Sequence, residues 1–148
     1  MKQLLVTILF AASLTALAAC STKVPNLGMT EGHFAVCPEG LDCVSSQATD
    51  AKHKIAPIEA TGEPNKVMVD LGNAVESVFG GKVLLAEGNY LRAEFKSSVL
   101  RTMDDAEFYY DQEAGLIQVH ALSRGEALDF ADSRDRIEEI RMIFTNMQ

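Results

Sequence analysis

The chain has 148 residues, with 13 Lys and Arg against 21 Asp and Glu, for a formal net charge of −8. That balance leaves no basic stripe to neutralise phosphates, which excludes a nucleic-acid partner, and it makes anionic lipid headgroups poor partners for the folded surface. With 47% hydrophobic residues, a chain of this length suits one domain with one core.

The N-terminus, MKQLLVTILFAASLTALAACST, sets Lys2 before an apolar run from Leu4 to Ala19. This is the pattern of a secretory signal, with an apolar region too short to be trusted as a spanning helix. The run ends Leu17-Ala18-Ala19-Cys20, which resembles the lipobox of bacterial lipoproteins. The resemblance implies cleavage before Cys20 and acyl chains, palmitate among them, on the new N-terminal cysteine. An ordinary cleavable signal is the alternative. Ser21 stands where an inner-membrane retention aspartate would be, so in a two-membrane bacterium the resemblance implies sorting to the outer membrane. The membrane is then reached through lipid on Cys20, with the folded body on the periplasmic side. Residues 1–19 are read as signal, 20–36 as lipidated N-terminus and tether, and 37–148 as the domain; removing 19 of the 148 residues leaves 129.

The next feature is CPEGLDC, Cys37 to Cys43. Pro38 and Gly40 favour a bend that brings the two sulfurs into range, and in an exported protein such a pair persists as a disulfide worth about 2 kcal/mol. Free thiols are one alternative and metal or redox chemistry another. The five-residue spacing is not C-x-x-C, and zinc would need two further ligands, for which His33 and His53 are merely near in sequence. Neither a metal nor a cofactor is expected.

Beyond the loop, residues 44–64 carry scattered apolar positions (Val44, Ile55, Ile58) and two prolines, which predicts an extended segment across the domain. Val67, Leu71, Ala74, Val75 and Val78 recur at helical spacing after Pro64 and before Gly80-Gly81, predicting a helix over 64–79. Alternating runs at 82–87, 90–97, 105–111 and 116–124, separated by Gly88-Asn89 and QEAG, predict an antiparallel four-stranded sheet. Ile137, Ile140, Phe144 and Met147 form the stripe of a last helix, with Asp132 or Ser133 as its cap and Arg134 paired to Glu138. Leu91, Ala93, Phe95, Ala106, Phe108, Tyr110, Ile117, Val119 and Ala121 share one sheet face. The expectation is an α+β two-layer sandwich in which two helices cover that face. The other face, with Tyr90, Arg92, Glu94, Lys96, Glu107, Tyr109, Gln118 and His120, is expected to stay wet.

CPEGLDCVSS, YLRAEF, DDAEFYYD and IQVHALSRGEALDFADSRDRIEEIR, in that order, resemble the motifs of the DUF1499 family, bacterial and plastid proteins without an assigned function. The resemblance runs from Cys37 to about Arg141 and takes in Ser45, Ser46, Asp104, Asp105, Glu107, Ser123, Arg124, Asp129, Arg134 and Arg136. Departures are Asp42 and Ser133 in place of asparagine, Glu126 in place of glycine, Arg92 in place of histidine and His120 in place of arginine. The family pattern implies a fold and a location; it implies no reaction.

The candidate ligand-binding residues are Arg92, Glu94, Glu107, Tyr109, His120 and Arg124, which can converge on the polar face. A carboxylate beside an imidazole suits proton transfer. The plainer reading is cross-strand ion pairing on a wet sheet. Asp104 and Asp105 alternate faces, so one is expected to bond Arg124 and the other to meet solvent. Arg124, Arg134 and Arg136 have the fork for an anion but are interleaved with acids. G-x-S-x-G, H-E-x-x-H and P-loop patterns are all missing. The favoured function is therefore a non-enzymatic, lipid-anchored envelope module that binds an envelope protein or a small anionic ligand. The alternatives are a periplasmic hydrolase or lyase using His120 with Glu94 or Glu107, and thiol chemistry at Cys37 and Cys43. On an open sheet face, His120→Ala and Glu107→Gln are expected to leave folding nearly unchanged.

Overall fold

The computed structural model describes residues 25–96, 102–125 and 132–148. Cys20, Glu126 and Asp129 lie outside the described residues. Helix α1 (Pro64–Ser77) opens on proline, whose missing N–H costs nothing in a first turn, and buries Val67, Met68, Leu71, Ala74 and Val75. It stops where glycine is required: Gly80 has φ of 77°, and a Cβ there would run into the carbonyl of Lys96.

Four long strands follow, β5 (Gly81–Glu87), β6 (Tyr90–Lys96), β7 (Met103–Asp111) and β8 (Leu116–Ser123), each antiparallel to the next. Gly88, at φ of 56°, makes the tight β5–β6 turn. The sheet is larger than the alternating runs predict. It has six strands, because β3 (Cys43–Ser45) and β4 (Ile58–Glu59) both pair antiparallel with the outer edge of β8. At three and two residues these are too short for alternation to register in the sequence. A separate two-stranded hairpin, β1 (Met29–Thr30) and β2 (His33–Phe34), forms within the segment read as tether.

Helix α2 (Asp132–Thr145) packs beside α1 on the apolar sheet face. All nine residues assigned to that face are buried, as are Ile137, Ile140 and Phe144 of α2; Met147 is not part of the stripe. The N-terminus of α2 is held from outside the helix, where the Ser133 amide donates to Asp42 Oδ2 at 2.7 Å. Arg134 does not pair with Glu138. Its guanidinium donates to the carbonyls of Lys52 and Lys54, and Glu138 pairs instead with Arg141 at 2.9 Å. Residues 52–57 are thereby strapped to α2, since Arg141 also donates to the carbonyls of Ala56 and Pro57.

Candidate functional site

On the polar face, backbone register lines up Arg92 of β6, Glu107 of β7, His120 of β8 and Ser45 of β3 in one cross-strand row. The centre of this row is dry, with Glu107 at 0% and His120 at 1% exposure. The hairpin is what covers it. The Phe34 ring stacks on His120, centroids 5.7 Å apart and planes 19° from parallel, and the Gly28 amide donates to Glu107 Oε1. The face expected to stay wet is thus buried at its middle, because a segment without periodicity folds back across it.

Glu107 is satisfied at both oxygens. Its Oε2 lies 2.8 Å from His120 Nδ1, and its Oε1 accepts from the Tyr90 hydroxyl as well as from Gly28. Burial alone would raise its pKa, but the hydrogen bonds from His120, Tyr90 and Gly28 outweigh it and hold the carboxyl below its usual range. The Tyr90 hydroxyl moves the opposite way, pushed up by burial and by the carboxylate it donates to. An ionised Glu107 assigns the proton of neutral His120 to Nδ1 and leaves Nε2 as an acceptor. That nitrogen faces sulfur: Cys43 Sγ is 3.6 Å away.

Cys43 occupies β3 two residues before Ser45 and so shares its face of the sheet. It is bonded to Cys37, with sulfurs 2.07 Å apart, as the spacing of the loop led one to expect. The imidazole beside the bridge is His120, not His33 or His53. The ligand atoms of Cys37, Cys43 and His120 lie within 4.8 Å of one another. While the sulfurs are joined they are not thiolates, so a metal here would first require reduction.

The remaining candidates form a second cluster. Arg124 donates to both oxygens of Asp105, at 2.6 and 2.7 Å, and this carboxylate raises its already high pKa. Glu94 lies 3.2 Å from Lys96 and 3.7 Å from Arg124, away from the imidazole. Asp104 points to the opposite face as alternation requires, yet it does not meet solvent; it pairs with Arg136 at 2.6 Å, and Arg136 lies over the Phe95 ring. Arg124, Arg134 and Arg136 are therefore internal ties. Tyr109 is half-buried one row further along, between Tyr90 and Gln118. Arg92 differs, for its Nε is buried without a hydrogen-bond partner among the described residues.

Sequence reasoning missed Gly28, Phe34 and Tyr90 as site residues. Gly28 and Gly32, both at positive φ, are a local signal that the segment turns back on itself. Beside the hairpin lies a cleft of about 610 Å³, whose lining includes Phe34, Val36, Cys37, Asp50 and His53. His53 reaches Asp50 at 2.9 Å, and the hydrogen bonds it donates hold the Asp50 carboxyl below its usual range.

A family model described as a protein of unknown function, DUF1499, matches residues 33–144. The chain belongs to the DUF1499 family. No curated protein and no solved structure matches it. The matched span of this DUF1499 chain starts at the first residue of β2 and takes in Phe34, the disulfide and the whole cross-strand row, leaving Gly28 outside. In register, Arg92 and His120 flank Glu107 on either side, which sets one cation and one imidazole beside the same carboxylate. No helix among the described residues is long and apolar enough to cross a membrane.

Proposed function

We propose that this DUF1499 chain is exported, is held by lipid on Cys20 at the periplasmic side of a bacterial envelope, with the outer membrane favoured, and acts by binding an envelope protein or a small anionic ligand. The observation that carries the binding half is the covered imidazole. General acid–base work needs one ring nitrogen open to substrate. His120 has Nδ1 on Glu107, Nε2 toward the Cys43 sulfur and one face under Phe34. Glu94, the other carboxylate considered for a hydrolase, is engaged with Lys96 and Arg124. The group we take to meet an anion on the polar face is the guanidinium of Arg92, half-buried at the end of the row. The export half rests on the lipobox resemblance at Leu17 to Cys20.

The test uses the full chain expressed with its own N-terminus. Intact mass of the membrane extract is expected to correspond to a chain starting at Cys20 and carrying acyl groups, and Cys20→Ser is expected to release the protein from the membrane. A chain that starts at Met1 without fatty acid overturns the anchoring. Photo-crosslinking from position 109 in cells is expected to give a discrete adduct that Arg92→Gln reduces several-fold. Absence of any adduct from position 109, or an adduct that Arg92→Gln leaves unchanged, overturns the binding reading.

A further inference from the structure

The two sulfurs of the bridge sit in unlike surroundings. Cys43 is 3% exposed and faces His120 Nε2 at 3.6 Å. Cys37 is half-buried, follows the 90% exposed Val36 and lines the cleft of about 610 Å³. A disulfide is cleaved when a thiolate attacks one sulfur and the other departs as a thiolate, and the reaction favours whichever leaving sulfur is better stabilised as an anion. Here the accessible sulfur is Cys37 and the stabilised one is Cys43.

We propose that Cys37–Cys43 is a thiol–disulfide exchange centre that accepts electrons from a dithiol on a partner protein, with His120 as the group that receives the leaving sulfur. A partner thiolate enters the cleft and attacks Cys37 Sγ. The Cys37–Cys43 bond breaks, a mixed disulfide forms between the partner and Cys37, and the electron pair rests on Cys43. The proton that the attacking thiol lost to solvent on forming its thiolate is balanced by one taken up from solvent at His120 Nε2. The resulting imidazolium stands between the Cys43 thiolate and the Glu107 carboxylate, which already accepts its Nδ1–H. The partner's second thiolate then attacks its own sulfur in the mixed disulfide and expels Cys37. In balance, the partner's two thiols become a disulfide, two electrons pass to this chain, and the two protons end on its Cys37 and Cys43–His120 pair. The histidine supplies to a five-residue spacing what a C-x-x-C motif obtains from its own surroundings. This inference needs only the bridge and its neighbours and does not rest on the binding reading or on the lipid.

The experiment equilibrates the purified mature chain with mixtures of reduced and oxidised glutathione, traps free thiols by alkylation, and maps the modified cysteines. Glutathione is expected on Cys37, and the protein disulfide is expected to be about tenfold easier to reduce in the wild type than in His120→Asn. Glutathione found on Cys43, or equilibrium constants for the two chains within about twofold, would overturn the assignment. A second readout covers the case in which His120→Asn does not fold. In Cys37→Ser, which leaves the row intact, ultraviolet absorbance should show Cys43 mainly as thiolate at neutral pH, where a thiol of ordinary pKa of about 8.5 is protonated. A protonated Cys43 in that folded chain equally sinks the proposal.

Discussion

Glu107 accepts hydrogen bonds from an imidazole, a phenol and a backbone amide while excluded from water, so its charge is held in place by donors rather than by an opposite charge in contact. Such a carboxylate is costly to alter, because each donor left unpaired in a dry site loses its hydration as well as its bond. His120→Ala and Glu107→Gln are therefore expected to destabilise, reversing the expectation drawn from an open face. For Glu107→Gln the loss should be about 2 kcal/mol in urea titrations at neutral pH. Its pH dependence has a definite sign. Glu107 has a folded pKa below its ordinary value of 4.5, so its contribution is complete above that value and is lost as pH falls through the folded one. The stability gap between wild type and Glu107→Gln should accordingly narrow on acidification below about pH 4.5. A gap that widens in acid would mean the carboxyl is protonated in the native state.

Among the elements, the β1–β2 hairpin contributes least to the main core and most to the site. Among the described residues its strands pair only with each other, and it is tied to the body of the domain by the Gly28 amide, by Phe34 on His120 and by the bond from the Phe34 amide to Gln47 Oε1. Phe34→Ala removes the stacked ring and should cost about 3 kcal/mol if folding is one transition. The more telling measurement is hydrogen exchange: amides of residues 28–36 should lose protection in this variant while those of β6 to β8 keep theirs. Equal loss across the sheet would mean that the hairpin belongs to the cooperative core. The short strands β3 and β4 follow the same logic, because they are specified by the free edge of β8 and by straps from α2 rather than by their own pattern.

For the whole molecule, the disulfide closes a short loop and at the same time fixes the covering segment to β3. Chain entropy alone gives about 2 kcal/mol for so small a loop. The double variant Cys37→Ser with Cys43→Ser should therefore lower global stability by about that amount, as should reduction of the wild type. A loss that exceeds this several-fold would show that the roof and the core unfold as one unit. The architecture has two unequal layers around the sheet: two helices that exclude water from the apolar face, and a hairpin with a disulfide loop that excludes it from the centre of the polar one.

Periodicity over seven to fourteen residues was enough to place α1, α2 and β5 to β8 and to assign the buried face from Leu91 to Ala121, and the bend between Cys37 and Cys43 pointed to their pairing. Those features are local or repeat along the chain, so each carries its own signal. The covered polar face did not, because Gly28 reaches Glu107 across 79 positions and Phe34 reaches His120 from a strand of two residues. Nor did the division of the candidate residues into a dry His120–Glu107 pair and an Arg124–Asp105–Glu94 ion-pair cluster, since alternation gives a face but not a partner. Only the return of the N-terminal segment over the sheet decided which charges would be buried, and burial is what turned a row of polar side chains into a sulfur, an imidazole and a carboxylate in contact.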